Sequence, residues 1–127
     1  MDRQFETALR AGDLPLIEEC LARGCPVDSL DRYGQTPLML AVISGSLEAV
    51  EALLTRCPDL DRTAKFNLSA LMLAVVRDET EIASALLRAG AGADVAGTGA
   101  PGFSGKTALD LARARGNKRM IELLEDE

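Results

Sequence analysis

Apolar residues recur along the chain in short blocks, and the blocks repeat at a fixed distance. The segment LMLAV occurs at 38–42 and again at 71–75, and a Leu-Leu pair follows each block, at 53–54 and at 86–87. Both offsets are 33 residues. Within a block, the leucines and alanines can form one apolar face of an α-helix. A fixed period of this length predicts an array of stacked repeats.

The polar residues between these blocks recur in the same order and predict where helices begin and end. Residues that cap helix N-termini well precede three of the blocks, at Thr36, Ser69 and Thr107. Residues that tolerate a positive φ separate the two helices of each unit: Gly12, Gly45, Asp78 and Gly116. We expect first helices at 2–11, 36–44, 69–77 and 107–115, and second helices at 13–23, 46–56, 78–88 and 117–127.

The segment DRYGQTPLMLA at 31–41 resembles the ankyrin-repeat signature D-x-x-G-x-T-P-L-H-x-A. The resemblance covers nearly the whole chain in four units, expected at 1–30, 31–63, 64–98 and 99–127. It implies an all-α ankyrin-repeat solenoid, in which stacked helix-turn-helix units are joined by β-hairpin-like turns. One such unit cannot bury its own apolar face, so each unit must pack against its neighbours.

The units depart from the family signature at several positions in the turns and first helices. The departures are Met39, Met72 and Asp110 at the histidine position, Ala64 for the leading Asp, Asn67 for the turn Gly, and Cys57-Pro58 for Gly-Ala. We expect them to change the local loop geometry and not the fold.

The residue types present exclude most catalytic and metal-binding arrangements. The chain has no histidine, so the commonest general base and the Ser/His and Cys/His nucleophile pairs are absent. Its three cysteines, Cys20, Cys25 and Cys57, form no CxxC motif, so we expect reduced thiols and no zinc site. Cys20 occupies a core leucine position, where we expect it to be buried. The sequence therefore predicts a protein that is not an enzyme and needs no cofactor.

Charge is distributed unevenly between the predicted helices. The net charge of −6 disfavours binding to nucleic acid or to an anionic membrane. Each predicted second helix is net negative, whereas the first helices are neutral or net positive. We therefore expect an acidic, solvated outer face and a neutral to basic face on the first helices.

The termini suggest neither a membrane span nor an export signal. Apolar runs are only a few residues long, and the N-terminal segment MDRQFETALRAGD carries acidic residues and has no apolar centre. We expect a soluble, cytoplasmic protein that is monomeric when free. The acidic end of the last helix, IELLEDE, is typical of a terminal capping repeat, so we expect the array to end there.

The segment APGFSGKT near the C-terminus matches a loose phosphate-binding loop, with Gly105, Lys106 and Thr107 as its Gly-Lys-Thr. Such a loop follows a hydrophobic strand, but the residues before this one are rich in Gly and Ala. Gly105 and Thr107 also align with Gly34 and Thr36, a turn glycine and a helix cap. We therefore interpret the segment as a hairpin turn, and a nucleotide or phosphate site remains the alternative.

The resemblance implies that the hairpin tips and the exposed side of the first helices bind another protein. Each predicted tip combines an aromatic residue with a cation, and aromatic residues and Arg are enriched at interfaces. The tip residues are Arg32, Tyr33 and Gln35 in the first tip, Lys65, Phe66 and Leu68 in the second, and Phe103 and Lys106 in the third. The first-helix face contributes Ile43, Val76, Arg77 and Arg115. Each ring could instead cover a neighbouring hairpin, and the sequence leaves both interpretations open.

The predicted function is non-catalytic binding of another protein, in the role of an inhibitor, an adaptor or an immunity-type partner. The last hairpin is the longest, because five extra residues fall within 89–105. They are either a tolerated surface insertion or a loop that reaches a partner. A structural, self-associating module is a third class of function that the sequence leaves open.

Overall fold

Eight short helices form the regular structure of the residues that can be described. The computed structural model describes residues 1–56, 58–60, 62–63, 69–91 and 107–125. In chain order the helices are α1 (Arg3–Ala11), α2 (Leu14–Ala22), α3 (Pro37–Ser44), α4 (Leu47–Leu54), α5 (Ala70–Val76), α6 (Thr80–Arg88), α7 (Ala108–Arg115) and α8 (Lys118–Glu125). No strand occurs within these ranges, and the all-α prediction is confirmed.

Side-chain caps determine where the first helices begin. The hydroxyl oxygens of Thr36, Ser69 and Thr107 each accept a hydrogen bond from the N–H three residues further on, at 3.2, 3.3 and 3.4 Å. The turns between paired helices contain the positive φ angles that the sequence predicts: 66° at Gly12, 76° at Gly45, 58° at Asp78 and 70° at Gly116. These local signals set the helix boundaries to within about two residues of the predicted ones.

The helices form two layers. Helices α1, α3, α5 and α7 contact one another in succession, and α2, α4, α6 and α8 do the same. Each helix of the first layer also packs against the second helix of its own pair. Because one hydrophobic core runs through all four pairs, the helices stack as a solenoid.

The core consists mainly of aliphatic side chains from both layers. Leu38 and Leu71 are each 1% exposed, and Met39 and Met72, which replace the signature histidine, are equally buried. Methionine at this position therefore extends the apolar core. Cys20 has no exposed surface, which confirms its prediction as a buried residue.

The remaining departures from the signature fall into two groups. Asp110 is exposed in the first turn of α7, where it forms a capping box with Thr107. Cys57, Ala64 and Asn67 lie outside the described residues, so the loop changes expected there stay predictions. Aspartate in place of the signature histidine therefore stabilises the start of α7.

Candidate protein-interaction surface

The backbone of the first hairpin tip, residues 31–35, is held by one carboxylate. Oδ1 of Asp31 accepts hydrogen bonds from the N–H groups of Tyr33 and Gln35, at 2.9 and 2.8 Å. The N–H of Asp31 donates to the carbonyl of Gln35 at 3.0 Å and closes the turn. The other carboxylate oxygen lies 3.0 Å from Nη2 of Arg10, and the Asp31 side chain has no exposed surface. The tip is thus attached to α1 through a buried side chain.

Tyr33 is the large hydrophobic residue that stands out at the surface of the described residues, with 59% of its area exposed. The guanidinium carbon of Arg32 lies 5.3 Å from the centroid of its ring, within range of a cation–π interaction. Gln35, at the base of the tip, is half-buried. Because most of its area is exposed, Tyr33 is accessible to a partner.

The predicted first-helix residues lie at the C-terminal ends of adjacent helices. Ile43 on α3 and Val76 on α5 are half-buried, and Val76 packs against the core. Arg77 is the exposed C-cap of α5, and no ion pair within the described residues involves it. Because α3 and α5 contact each other, an apolar pair and an available cation occupy neighbouring helix ends.

Arg115, the fourth predicted residue of this face, is engaged within the chain. Its Nε and Nη2 donate to Oδ1 and Oδ2 of Asp78 at 2.9 and 2.6 Å. Nδ2 of Asn117 also donates to Oδ1 of Asp78, at 3.4 Å. The hydrogen bond from Arg115 is the main reason that the pKa of Asp78 lies below its ordinary value. The same bond raises the pKa of Arg115. An acidic partner group would have to compete with Asp78 for this guanidinium.

Sequence reasoning missed two acidic residues that organise this surface. Asp31 is the leading residue of the signature, and Asp78 is recognisable as a turn residue, but their cationic partners Arg10 and Arg115 are distant in sequence. The sequence indicates only that the first helices are neutral to basic, and this net charge does not reveal which cation pairs with which carboxylate. In the structure these pairs engage two of the cations that could otherwise face a partner.

The other two predicted tips cannot be compared with the structure. Lys65, Phe66 and Leu68 of the second tip, and Phe103 and Lys106 of the third, lie outside the described residues. Their part in an interface stays a prediction. The surface described is therefore the first tip together with the ends of α3, α5 and α7.

Thr107, the last residue of the phosphate-loop-like segment, caps α7. Its N–H and Oγ1 both donate to Oδ2 of Asp110, at 3.1 and 3.2 Å, and Gly105 and Lys106 lie outside the described residues. A phosphate at a helix N-terminus uses free N–H groups and a positive environment. Here the carboxylate of Asp110 accepts the hydrogen bond from the Thr107 N–H and places a negative charge at the N-terminus of α7. Both observations favour the helix-cap interpretation.

The second layer of helices carries an open groove of different character. It has a volume of about 460 Å³ and lies between α4, α6 and α8. Two leucines, Leu47 and Leu123, line it together with Arg and Glu side chains of both signs, among them Arg88 and Glu122. Most of its lining residues are polar or charged, whereas ligand pockets are lined mainly by apolar and aromatic side chains.

Comparison with known proteins assigns the chain to a family. The family model for ankyrin repeats, in three copies, matches residues 5–98. The chain therefore belongs to the ankyrin-repeat family. Ankyrin repeats generally act as non-catalytic modules for protein–protein interaction. Within the described residues, no helix has both the length and the apolar character needed to cross a membrane.

Individual relatives match only a short part of the chain. The protein named ankyrin repeat, SAM and basic leucine zipper domain-containing protein 1 is 60% identical over 37 residues in Equus caballus and 54% identical over 37 residues in Dasypus novemcinctus. In Echinops telfairi it is 52% identical over 40 residues. These matches cover 29%, 29% and 32% of this chain and 8% of each relative. They agree with the family assignment, and each is limited to a segment about as long as one repeat.

Proposed function

We propose that this chain binds one partner protein through the first hairpin tip and the C-terminal ends of α3 and α5. The observation that carries the proposal is Tyr33, exposed beside Arg32 on a turn that Asp31 holds in place. An aromatic residue and an arginine on a preorganised turn can bind with little loss of conformational entropy. Ile43 and Arg77 would extend the contact along the first layer.

The distribution of charge supports a partner with acidic and apolar groups. The second helices are acidic, and the first helices are neutral or basic. Arg32 and Arg77 are exposed on the proposed surface, whereas Arg115 is paired with Asp78. Electrostatic complementarity to the first layer would therefore orient the partner and increase its rate of association.

We propose an inhibitor, adaptor or immunity-type role for this interaction. The small size of the proposed surface suits one dedicated partner, and we expect the chain to act as a monomer in the cytoplasm. Measurement of the molecular mass in solution over a wide concentration range tests this point. A stable oligomer whose formation is abolished by Tyr33→Ala would show that the tip mediates self-association instead.

A matched set of surface variants tests the proposed interface. The partner is first isolated by affinity capture and identified, and its affinity is then measured for Tyr33→Ala, Arg77→Ala and the control Arg88→Ala. Truncation of a central interface residue costs about 2 kcal/mol or more, which is roughly a thirtyfold loss of affinity. We expect that loss for Tyr33→Ala and a smaller one for Arg77→Ala.

Arg88 is the control because it is also an exposed arginine but lines the groove on the second layer. We expect Arg88→Ala to leave the affinity within about twofold of the unmodified chain. Circular dichroism of all variants should stay unchanged. Loss of affinity in Arg88→Ala, with Tyr33→Ala and Arg77→Ala both neutral, would place the interface on the second layer.

A further inference from the structure

Three potential metal ligands from separate parts of the first helix pair lie together. A carboxylate oxygen of Asp2 and the Sγ atoms of Cys20 and Cys25 are all within 4.8 Å of one another. Asp2 is the N-cap of α1, whereas Cys20 is on α2 and Cys25 follows that helix. The sequence predicts no zinc site, because the three cysteines form no CxxC motif and the chain has no histidine.

The end of α2 explains why the two cysteines meet. The N–H of Cys25 donates to the carbonyl of Cys20 at 3.1 Å, and the N–H of Gly24 donates to that of Leu21 at 3.0 Å. Gly24 has a φ of 94°, so the chain reverses direction there as a Schellman motif. This motif brings together the side chains of the residues before and after the turn, which here are both thiols.

We propose that Asp2, Cys20 and Cys25 bind one thiophilic divalent cation, with zinc the metal that suits this ligand set best. Two cysteine thiolates and a carboxylate are ordinary zinc ligands, and water can complete a tetrahedral site. With Zn–S distances of about 2.3 Å, two thiolates on one tetrahedral ion lie about 3.8 Å apart. The two sulfur atoms are at most 4.8 Å apart, so the closure needed is at most about 1 Å, within reach of small side-chain rotations.

Arg23 provides a second reason to regard the cluster as a site. Its Nη2 lies 3.3 Å from Sγ of Cys20 and 2.6 Å from Oε1 of Gln4, which orients the guanidinium. N–H donors to thiolate sulfur are typical of the outer shell of metal sites, where they stabilise the ligand charge. Two thiolates and one carboxylate carry three negative charges, which a divalent cation and Arg23 together neutralise.

Titration with Cd²⁺ and Zn²⁺ tests the proposal on the full chain and on its Cys57→Ser variant, both under reducing conditions. Cd²⁺ bound to thiolates gives an ultraviolet charge-transfer band, and Zn²⁺ affinity is measured by competition with a chelator. We expect one equivalent of either ion to bind, with the same band in both proteins. Zn²⁺ should also raise the melting temperature, because the ion binds only the folded state tightly.

Two substitutions separate the site from adventitious thiol binding. Asp2→Asn keeps a residue that caps α1 as well as Asp does, and it should weaken Zn²⁺ binding by about tenfold or more. Cys25→Ser should remove the charge-transfer band while circular dichroism stays unchanged. Cys20 is left intact because it is fully buried.

Three results would overturn the proposal. They are the absence of a one-to-one charge-transfer band in the Cys57→Ser variant, undiminished binding by Cys25→Ser, and unchanged affinity in Asp2→Asn. Loss of two thiols from the Cys57→Ser variant in air-saturated, metal-free buffer would show that dissolved oxygen oxidises Cys20 and Cys25 to a disulfide instead.

Discussion

Asp31 shows how a single buried side chain positions an exposed aromatic residue. Its carboxylate accepts hydrogen bonds from two N–H groups of the first tip and pairs with Arg10, so it connects the turn to α1. Tyr33 is therefore carried on a turn whose backbone is already ordered. A partner that binds it has less conformational entropy to remove than it would with a free loop.

The pair of Asp78 and Arg115 predicts a stability difference that depends on pH. The pKa of Asp78 is lowered in the folded state, so its carboxylate stabilises the fold. This stabilisation is complete above the ordinary pKa of 3.8 and is lost as the pH falls through the lower pKa of the folded state. Asp78→Asn removes the charge and keeps a residue that tolerates the positive φ of 58°. At pH 7 we expect this change to lower the unfolding free energy only slightly, because both side chains are partly exposed and solvent screens the pair.

Urea unfolding at pH 7 and at successively lower pH measures this difference. The gap in unfolding free energy between the unmodified chain and Asp78→Asn should shrink towards zero in acid. A gap that stays constant over the acidic range would mean that the charge of Asp78 contributes nothing and that only its backbone conformation matters.

At the residue scale, the sequence predicts the features that depend only on residues close together along the chain. The tip position of Tyr33 follows from its place two residues after Asp31 in the signature. The engagement of Arg115 could not be predicted in the same way, because Asp78 is 37 residues away. That contact depends on how the turn before α6 sits against the end of α7, and the five extra residues between these units hide the register.

The helices were predictable because their ends are determined by local chemistry. Each cap needs one hydroxyl or carboxylate and an N–H three residues away, so the signal lies within one turn. The third unit shows the limit of this rule. Helix α6 begins after Glu79, whose side chain makes no cap hydrogen bond, and the structure gives this helix no local start signal comparable to Thr36.

Helix α7 provides the test of the cap against the phosphate-loop interpretation. Thr107→Ala removes the capping oxygen and should lower the unfolding free energy by about 1 kcal/mol. Thr107→Ser keeps a hydroxyl and should cost only a few tenths of that amount. Urea unfolding followed by circular dichroism measures both differences.

Titration with ATP and Mg²⁺, followed by amide chemical shifts, decides the alternative. If Thr107 serves only as a cap, no saturable shift should appear at Gly105, Lys106 or Thr107. A saturable shift that Lys106→Ala abolishes would establish a nucleotide site in place of a hairpin turn.

At the scale of the whole molecule, the repeat period predicts the architecture because each pair packs mainly on its neighbours. One helix pair exposes an apolar face, and the next pair covers it, so the fold follows from the number of units and their register. The cluster of Asp2, Cys20 and Cys25 was not predictable from the period. It depends on the packing of the start of α1 beside the end of α2, which the residue spacing does not reveal.

The stacked core predicts that the position of a leucine in the array sets its effect on stability. Leu71 and Leu109 occupy equivalent positions, but Leu71 is fully buried on α5, between α3 and α7, whereas Leu109 is half-buried on the last first-layer helix. Leu71→Ala should cost about 2–5 kcal/mol, a large part of a typical total of about 5–15 kcal/mol. Leu109→Ala should cost less, because less surface is lost from the core. Chemical unfolding measures both losses of unfolding free energy. Equal losses would show that the last helix pair is packed as tightly as the central pairs, and that burial by neighbouring units does not determine how much each leucine contributes to stability.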